Sequence, residues 1–297
     1  MSTAPILLFT YKRIKSLKKT VETLKENFLA SESELYIFSD GGKSDDDNKK
    51  VGEVRDYLRS ISGFKKITLK ESKVNKGLAN SIINGVTEVL KSYDSVIVLE
   101  DDLETSPNFL NFMKESLSYY QNSSNVFSVS GYSFDLKIRA DYNFDVYFTK
   151  RSSSWGWAIW KDRWEKVDWS MKNFEATVWS FQRIIDFNKM GSDLYGMMKL
   201  QHQGKIDSWA IRACFHQYLI NSYTVFPVVS KVQNIGYGDD ATHTSGYNSF
   251  KTVVDTTNKT KFTFVAPFAE PDIIRQFAAK RGYVERIKGK VLKFFST

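Results

Sequence analysis

The chain has 297 residues, of which 42% are hydrophobic and 15% aromatic, and its 42 Lys and Arg residues outnumber 34 Asp and Glu residues to give a net charge of +8. This composition indicates a folded globular protein and excludes a disordered or repetitive chain. Cys214 is the only cysteine, which excludes an internal disulfide and a cysteine-based zinc site. Because no run of about 18 apolar residues occurs and the N-terminus has no secretory leader pattern, we expect a cytoplasmic protein.

The first third of the chain alternates short apolar runs with helical patterns. Strands are predicted over residues 5–9, 35–39, 66–70 and 95–99, and helices over 14–28, 46–60 and 77–91. Such a βαβ series predicts an α/β fold with a mostly parallel sheet. Because open α/β sheets bind ligands beyond the carboxyl ends of their strands, we expect the functional residues to follow these four strands.

Three consecutive acids, Glu100, Asp101 and Asp102, come directly after the fourth predicted strand. Closely spaced carboxylates repel one another unless a cation or hydrogen-bond donors compensate them. A hard cation such as Mn²⁺ or Mg²⁺ suits them, because it takes its remaining ligands from water and substrate phosphates; a nucleotide-sugar diphosphate would fit such a site. The alternative is an acidic helix N-terminus, with Thr105 or Ser106 capping the next helix.

The second half is less regular and carries five tryptophans between residues 151 and 169. Trp160 and Trp164 have helical spacing, which favours a place in the core. Trp155 and Trp157 flank Gly156, and each is interpreted either as core or as the flat wall of a carbohydrate site.

No Walker loop, G-x-G-x-x-G fingerprint or G-x-S-x-G elbow is present, which disfavours a kinase, a dinucleotide dehydrogenase and a hydrolase. Four other segments stand in a characteristic order: Ile6-Leu-Leu-Phe-Thr-Tyr-Lys-Arg13, Phe38-Ser-Asp-Gly-Gly42, Asn75-Lys-Gly-Leu-Ala-Asn-Ser81 and Val98-Leu-Glu-Asp-Asp-Leu-Glu104. Together they resemble the GT-A glycosyltransferases of family 2, and the last is similar to the motif of the inverting N-acetylglucosaminyltransferase I group. The resemblance covers roughly residues 4 to 110 and implies a Rossmann-like, mostly parallel sheet flanked by helices, with an aromatic-rich acceptor-side extension.

The resemblance also implies a nucleotide-sugar site with Mn²⁺ or Mg²⁺ as cofactor. Asp102 would be the direct metal ligand. The residues that would contact the nucleotide sugar are Thr10, Tyr11, Arg13, Asp40, Asn75, Lys76, Gly77, Asn80, Glu100, Asp101, Arg151, Trp155, Gly156 and Trp157. Lys76 and Arg151 would add positive charge near the diphosphate. For Arg151 the alternative is a surface ion pair.

An inverting transfer needs a base for the acceptor hydroxyl, and Asp207 is the candidate. The related group has Asp-Asp-Trp at this place, whereas here Ser208 replaces the second acid. Asp207 is interpreted either as this base or as the N-cap of a helix predicted over 207–220, with Asp239 or Asp240 as substitute bases. His243, in a late polar loop, would add a metal ligand or be structural.

Three regions are predicted: a nucleotide-sugar-binding half over 1–130, an acceptor-binding and catalytic half of the same domain over 131–270, and a basic amphipathic C-terminal helix over 271–297. The second half includes a strand predicted over 223–230 after the helix. Residues 283–295 place apolar side chains on one face and Lys and Arg on the other. This pattern favours either contact with an anionic membrane, at its inner face, or docking on the protein's own core.

Three functions fit these observations. The first is a metal-dependent, inverting glycosyltransferase that uses a nucleoside-diphosphate sugar, with UDP favoured by the resemblance, and a bacterial surface glycan or lipid-linked glycan as acceptor. The second is a sugar nucleotidyltransferase, although its usual Gly-rich loop after the first strand is missing. The third is a basic RNA-binding or scaffold protein, but no RNA-binding motif is present, so no nucleic-acid partner is expected.

Overall fold

The computed structural model describes residues 4–236 and 250–283. The first third of the chain has the predicted alternation of strands and helices. Its elements are β1 (Ile6–Thr10), α1 (Ile14–Lys25), β2 (Glu34–Ser39), α2 (Asp45–Arg59), β3 (Lys66–Glu71), α3 (Leu78–Val89) and β4 (Ser95–Glu100). All seven predicted elements of this region are confirmed.

The rest of the described chain adds shorter elements. They are β5 (Leu103–Thr105), α4 (Phe109–Tyr119), β6 (Val126–Ser130), β7 (Val146–Thr149), β8 (Trp157–Trp160), α5 (Lys161–Trp164), α6 (Lys172–Ala176), α7 (Phe181–Phe187), a 3₁₀ turn (Asn188–Met190), α8 (Leu194–His202), α9 (Trp209–Leu219), β9 (Tyr223–Pro227), β10 (Val232–Asn234) and α10 (Pro271–Lys280). The strand predicted over 223–230 ends earlier than predicted, at Pro227. The next residue, Val228, donates its N–H to the Asp145 carbonyl.

The central sheet of the described residues has eight strands in the order β3-β2-β1-β4-β8-β6-β9-β7. Strands β1 to β4, β6 and β9 run parallel, whereas β7 and β8 run antiparallel to their neighbours. A small second sheet pairs β5 with β10. The predicted α/β class with a mostly parallel sheet is therefore confirmed, and the GT-A fold has this architecture. The domain boundaries at 130 and 270 stay a prediction.

The two faces of the sheet bury separate clusters of apolar side chains. Along β1, Ile6 and Leu8 join the cluster that contains α1 and α4, and Leu7 and Phe9 join the cluster under α3. This alternation follows from the two-residue period of a strand. A Cβ added at Gly85 of α3 would lie 2.8 Å from the Phe9 ring, so glycine allows this helix its close approach.

The strand register determines where the functional loops meet. Thr10 pairs with Ser39 and Phe9 pairs with Glu100, so β1, β2 and β4 end at one level. The residues that follow each strand consequently lie side by side at a single edge of the sheet.

No helix in the described ranges is both long and apolar enough to cross a bilayer.

Candidate donor and acceptor site

A cleft of about 490 Å³ opens at the carboxyl ends of β1, β2 and β4. Its walls come from seven short segments of the chain, some of them distant in sequence. The lining residues are Phe9, Thr10, Tyr11, Lys12, Arg13, Phe38, Asp40, Lys43, Asn75, Gly77, Leu78, Ser81, Glu100, Asp101, Asp102, Ser154, Trp155, Asp207, Ser208, Trp209, Ala210, Asn234 and Gly236. The cleft thus brings together most of the residues that the sequence predicts for binding and catalysis.

Arg13 joins the acidic triplet through its guanidinium group. Its Nη2 lies 2.5 Å from Oδ1 of Asp101, and its Nη1 lies 3.0 Å from Oδ2 of Asp102. The backbone N–H of Tyr11 donates to the other Asp101 oxygen at 3.1 Å. Both Asp101 oxygens therefore have a hydrogen-bond donor, and the same Arg13 guanidinium group also forms the ion pair with Asp102.

The triplet carries more negative charge than Arg13 compensates. Burial, together with the negative charges of Asp102 and Asp101, raises the pKa of Glu100 to about 8 against the opposing effect of Arg13. Burial likewise raises the pKa of Asp101, although Arg13 acts in the other direction. A site with excess carboxylate charge at a cleft favours a cationic ligand.

The residues present fit a divalent cation that shares its coordination with a substrate. Within 4–236 and 250–283, no group of three or more His, Cys, Asp or Glu side chains is arranged as a complete metal cage. Mn²⁺ and Mg²⁺ do not require one, because they bind through one or two carboxylates and keep oxygens from water and phosphate. Asp102 would hold such an ion, with the other ligands supplied from the cleft.

The alternative that the triplet is an acidic helix start is wrong. Asp102 is followed by the strand β5, and α4 begins only at Phe109 without a side-chain cap from Asn108. The hydroxyl of Ser106 instead donates to the Asn108 side chain. The acids therefore lie at the end of a strand and face the cleft.

Strand β10 closes the cleft beside Asp102. Because β10 pairs with β5, Ile235 donates its N–H to the Asp102 carbonyl at 2.8 Å. A Cβ at Gly236 would lie 2.4 Å from Oδ2 of Asp102, so a larger residue there would displace the carboxylate. The sequence carries no local signal for this contact, which spans more than half of the described chain.

Asp40 fastens the loop after β2 to the start of α3. Its carboxylate accepts the backbone N–H of Lys76, at 2.9 and 3.1 Å, and that of Gly77, at 3.0 Å. Asn75 donates its side-chain amide to the Gly41 carbonyl at 2.7 Å. Asp40 lines the cleft, and it also holds the turn that places Asn75 and Gly77 there.

Two residues that the sequence did not single out support the loops that follow β1, β2 and β3. Asp47, in the first turn of α2, accepts the Tyr11 hydroxyl at 2.7 Å and pairs with Lys12 at 2.5 Å. Burial and this bond raise the pKa of Tyr11 to about 12, so its hydroxyl stays a donor. Arg55 donates to the carbonyls of Ser39, Asp40 and Ser72, which fixes the ends of β2 and β3.

Asp207 also lines the cleft and lies shortly before α9 in the chain. The cap of this helix is Ser208, whose hydroxyl accepts the Ile211 N–H, so the interpretation of Asp207 as N-cap is wrong. The Asp207 side chain is about half exposed and pairs with Arg212 at 3.0 Å. Ser208, which stands where the related group has a second acid, therefore leaves Asp207 available to the cleft.

The family of the chain follows from comparison with known proteins. The model of the family described as Glycosyl transferase family 2 matches residues 6–175, more than half of the chain. The chain belongs to glycosyl transferase family 2. No protein of the curated set matches it.

Solved structures related to this family 2 chain include two glycosyltransferase complexes. The mannosyltransferase PcManGT from Pyrobaculum calidifontis, in complex with GDP-Man and Mn²⁺, is 14% identical with a TM-score of 0.37 and covers 54% of this chain and 45% of that one. The S. aureus TarS 1–349 complex with UDP is 10% identical with a TM-score of 0.33 and covers 48% of this chain and 39% of that one. The chain spans less than half the length of either protein.

The tryptophans of the family 2 chain divide between core and cleft. Trp157 is buried and stacks on Trp164 and Trp209, at 5.7 and 4.6 Å between ring centroids, so it belongs to the core together with Trp160. Trp155 lines the cleft, where the edges of Tyr132 and Phe250 support it. The carbohydrate-wall interpretation is therefore wrong for Trp157, and for Trp155 it stays a prediction that its place in the cleft lining permits.

Gly156 has a positive φ of 56° between these two rings. A Cβ there would lie 2.9 Å from the Val232 side chain. Glycine therefore permits the reversal that directs Trp155 toward the cleft and Trp157 away from it. Gly156 is not among the lining residues, so its role is to position its neighbours.

Arg151 lies away from the cleft. It is buried and forms a bidentate ion pair with Asp193, in which its two Nη atoms lie 2.7 and 2.9 Å from the two carboxylate oxygens. The ion-pair alternative is correct, although the pair is buried and not on the surface. The geometry does not support the predicted contact of Arg151 with the diphosphate.

Lys76 and Asn80 are exposed beside the cleft, and neither lines it. The Asn80 amide donates to the Lys76 carbonyl at 3.1 Å within the first turn of α3. Their predicted contacts with the donor stay predictions. Three other candidates, Asp239, Asp240 and His243, lie outside the described residues, as does the predicted tail helix beyond residue 283.

Proposed function

We propose that this family 2 chain is a metal-dependent, inverting glycosyltransferase that moves a sugar from a nucleoside-diphosphate donor to a hydroxyl group of a glycan. A UDP-sugar is the favoured donor, and a bacterial surface glycan or lipid-linked glycan is the proposed acceptor. One observation carries the proposal. The acidic triplet and Asp207, which come from distant parts of the chain, line the same cleft.

The donor half of the cleft suits a nucleoside diphosphate. Tyr11 and Phe38 offer aromatic surface, and Asn75 and the Gly77 backbone lie at the start of α3. The N-terminal end of a helix attracts a phosphate group because its first N–H groups have no partner within the helix. Lys12 and Lys43 add positive charge on the same side.

Departure of the diphosphate is the step that the triplet would assist. Breaking the bond from the sugar to the diphosphate leaves the electron pair on the phosphate oxygen, so negative charge grows there. Mn²⁺ or Mg²⁺ held by Asp102 would neutralise this charge when bound. Arg13 holds Asp101 and Asp102 in place with its forked contact.

The acceptor half would supply the base. As the acceptor oxygen attacks the anomeric carbon, its proton passes to the Asp207 carboxylate. Attack from the face opposite the leaving diphosphate inverts the configuration at that carbon. Arg212 donates a hydrogen bond to the Asp207 carboxylate, and Trp155 offers a flat apolar wall of the kind that packs on a sugar ring.

Family membership favours transfer of a glycosyl group over transfer of a nucleotidyl group, and it supports neither RNA binding nor a scaffold role. The finer likeness to the N-acetylglucosaminyltransferase I group rests on the Glu100 to Leu103 motif and, more weakly, on the Asp207 to Trp209 segment, and it stays a prediction.

Calorimetric titration tests the donor half of the proposal. We expect one nucleotide among UDP, GDP, CDP and dTDP to bind in the presence of Mn²⁺ and to bind at least about tenfold more weakly without it, because the ion bridges carboxylate and phosphate. Asp102→Asn should abolish the metal dependence, whereas Glu104→Gln, an acid outside the cleft lining, should not. Absence of binding by all four nucleotides in every condition would refute the proposal.

A further inference from the structure

Arg212 and Asp207 form an ion pair at the start of α9, and the guanidinium group of Arg212 makes two further contacts. Its Nη2 donates to Oδ1 of Asp207 at 3.0 Å. Its Nε donates to the Ser208 carbonyl at 3.3 Å, and its Nη1 donates to the Trp169 carbonyl at 3.1 Å. All three nitrogens of the group are therefore engaged, and one cation joins the Asp207 carboxylate to two backbone carbonyls.

The geometry of the first turn of α9 brings these groups together. Arg212 follows Ser208 by four residues, so the two lie on the same side of the helix. Side chains on a helix point toward its N-terminus, and the long arginine side chain consequently reaches back to the residues before α9. Only 11% of the Arg212 side chain is exposed, against 53% of the Asp207 side chain. Arg212 is thus the enclosed member of the pair, and Asp207 is the member that solvent and ligands can reach.

The stability of α9 does not account for this placement. A cation near the N-terminus of a helix is unfavourable, because that end of the helix dipole is positive. Burial lowers the pKa of Arg212 against the opposing effect of the Asp207 charge, so the guanidinium group is held where water is scarce. The cap of α9 comes from Ser208, whose hydroxyl accepts the Ile211 N–H. The position of Arg212 therefore needs an explanation outside the helix itself.

The Trp169 carbonyl is a firm anchor for Arg212. The Trp169 ring lies 4.5 Å from the buried Trp164 ring between centroids, and the Trp164 indole N–H donates to the Thr87 hydroxyl of α3 at 2.9 Å. The Arg212 guanidinium group also lies over the Trp169 ring, at 5.9 Å from its centroid. Through these contacts Arg212 ties Asp207 to the packed interior under α3.

We propose that Arg212 is a positioning residue for Asp207, which it holds by Oδ1 and leaves with Oδ2 to receive the acceptor proton. Within residues 4–236 and 250–283, Oδ2 of Asp207 accepts no hydrogen bond. This role rests on the proposed role of Asp207 as the base. The acceptor oxygen bonds to the anomeric carbon, the diphosphate leaves with the electron pair of the broken bond, and the acceptor proton passes to Oδ2. Arg212 keeps its own protons and fixes the carboxylate before the reaction, which lowers the cost of ordering it.

Release of UDP from UDP-glucose, UDP-galactose and UDP-N-acetylglucosamine, with Mn²⁺ present and water as the acceptor, tests the positioning role. We expect Arg212→Gln to lower kcat about 10- to 100-fold with KM nearly unchanged, because a displaced base slows the reaction without weakening donor binding. Arg212→Lys should recover only part of kcat, since an ammonium group lacks the planar fork that holds three acceptors at once. Arg275→Gln, at an exposed ion pair with Asp272 in α10, is the matched control and should react as the native chain does.

A double variant separates positioning from a general loss of structure. If Arg212 acts through Asp207, then Asp207→Asn combined with Arg212→Gln should be no slower than Asp207→Asn alone. Nucleotide titration of both Arg212 variants shows whether they are folded. Additive losses in the double variant, or native turnover by Arg212→Gln, would overturn the positioning role and leave Asp207 as the base. Native turnover by Asp207→Asn would instead remove the base assignment and the positioning role together.

Discussion

The guanidinium group of Arg13 lies 2.5 Å from Asp101 and 3.0 Å from Asp102, so a single cation joins the two aspartates at the end of β4. Asp102 is also the proposed metal ligand. A side-chain cation and a divalent ion beside the same carboxylate repel each other. Arg13 should therefore oppose metal binding in the free protein, and the negative charge of a bound diphosphate should remove this opposition.

Arg13→Gln is predicted to bind Mn²⁺ about tenfold more tightly than the native chain in the absence of nucleotide, because it removes a nearby positive charge. Electron paramagnetic resonance titration of free Mn²⁺ measures this affinity. Lys12→Gln is the matched control, since Lys12 pairs with Asp47 and not with the triplet. Equal or weaker Mn²⁺ binding by Arg13→Gln would show that Arg13 assists the metal site.

Asp207→Asn is predicted to reduce sugar transfer by about 10²- to 10⁴-fold while nucleotide binding stays native, because the amide cannot accept the acceptor proton. The fold should be retained, since Ser208 and not Asp207 caps α9. Transfer assays together with nucleotide titration separate the two effects. Ser208→Ala should lose about 1 kcal/mol of stability and keep its activity. Substantial transfer by Asp207→Asn would reassign the base to another acid.

The sequence predicts the first half of the fold well because its signals are local. Each of the strands β1 to β4 is a short apolar run, and the strand register then carries residues 10–13, 40–42 and 100–102 to one edge. Sequence order alone was therefore sufficient to predict most of the residues that line this part of the cleft.

The remaining contacts depend on pairings between distant segments. Strand β10 reaches Asp102 only because it pairs with β5, and nothing near Gly236 in the sequence indicates that pairing. Arg151 and Trp157 carry residue types common in binding sites, yet burial against Asp193 and Trp209 determines their roles. The helical pattern of α9 did not show whether Asp207 or Ser208 is its N-cap, because both adjacent polar residues suit an N-cap position.

Asp40→Asn is predicted to destabilise the fold by about 1–3 kcal/mol and to weaken nucleotide binding about tenfold. The two Asp40 oxygens accept the N–H groups of Lys76 and Gly77, and an amide replaces one acceptor with a donor that faces them. Urea denaturation and nucleotide titration measure the two effects. Asp46→Asn, at an exposed acid of α2, is the control. Unchanged stability would show that the turn at Asn75 does not depend on Asp40.

Asp193→Asn is predicted to remove a stabilisation that depends on pH. Although burial alone would raise the pKa of Asp193, the hydrogen bonds and charge of Arg151 outweigh it and lower the pKa to about 2, from an ordinary value of 3.8. Because the folded state holds its proton less tightly than the unfolded state, the stabilisation is complete above about pH 4 and is lost as the pH falls toward 2. Its size is about 2 kcal/mol.

The measurement is urea denaturation of the native chain and Asp193→Asn across this pH range. The stability gap between them should narrow by about 2 kcal/mol as the pH falls from neutral to the acid end, whereas exposed Asp135→Asn should follow the native curve. Nucleotide binding by Asp193→Asn should stay native at neutral pH, because Arg151 lies outside the cleft lining. A difference in unfolding free energy that does not change with pH would contradict the ionic role of Asp193. Loss of nucleotide binding in a folded Asp193→Asn variant would support the original prediction that Arg151 contacts the nucleotide sugar.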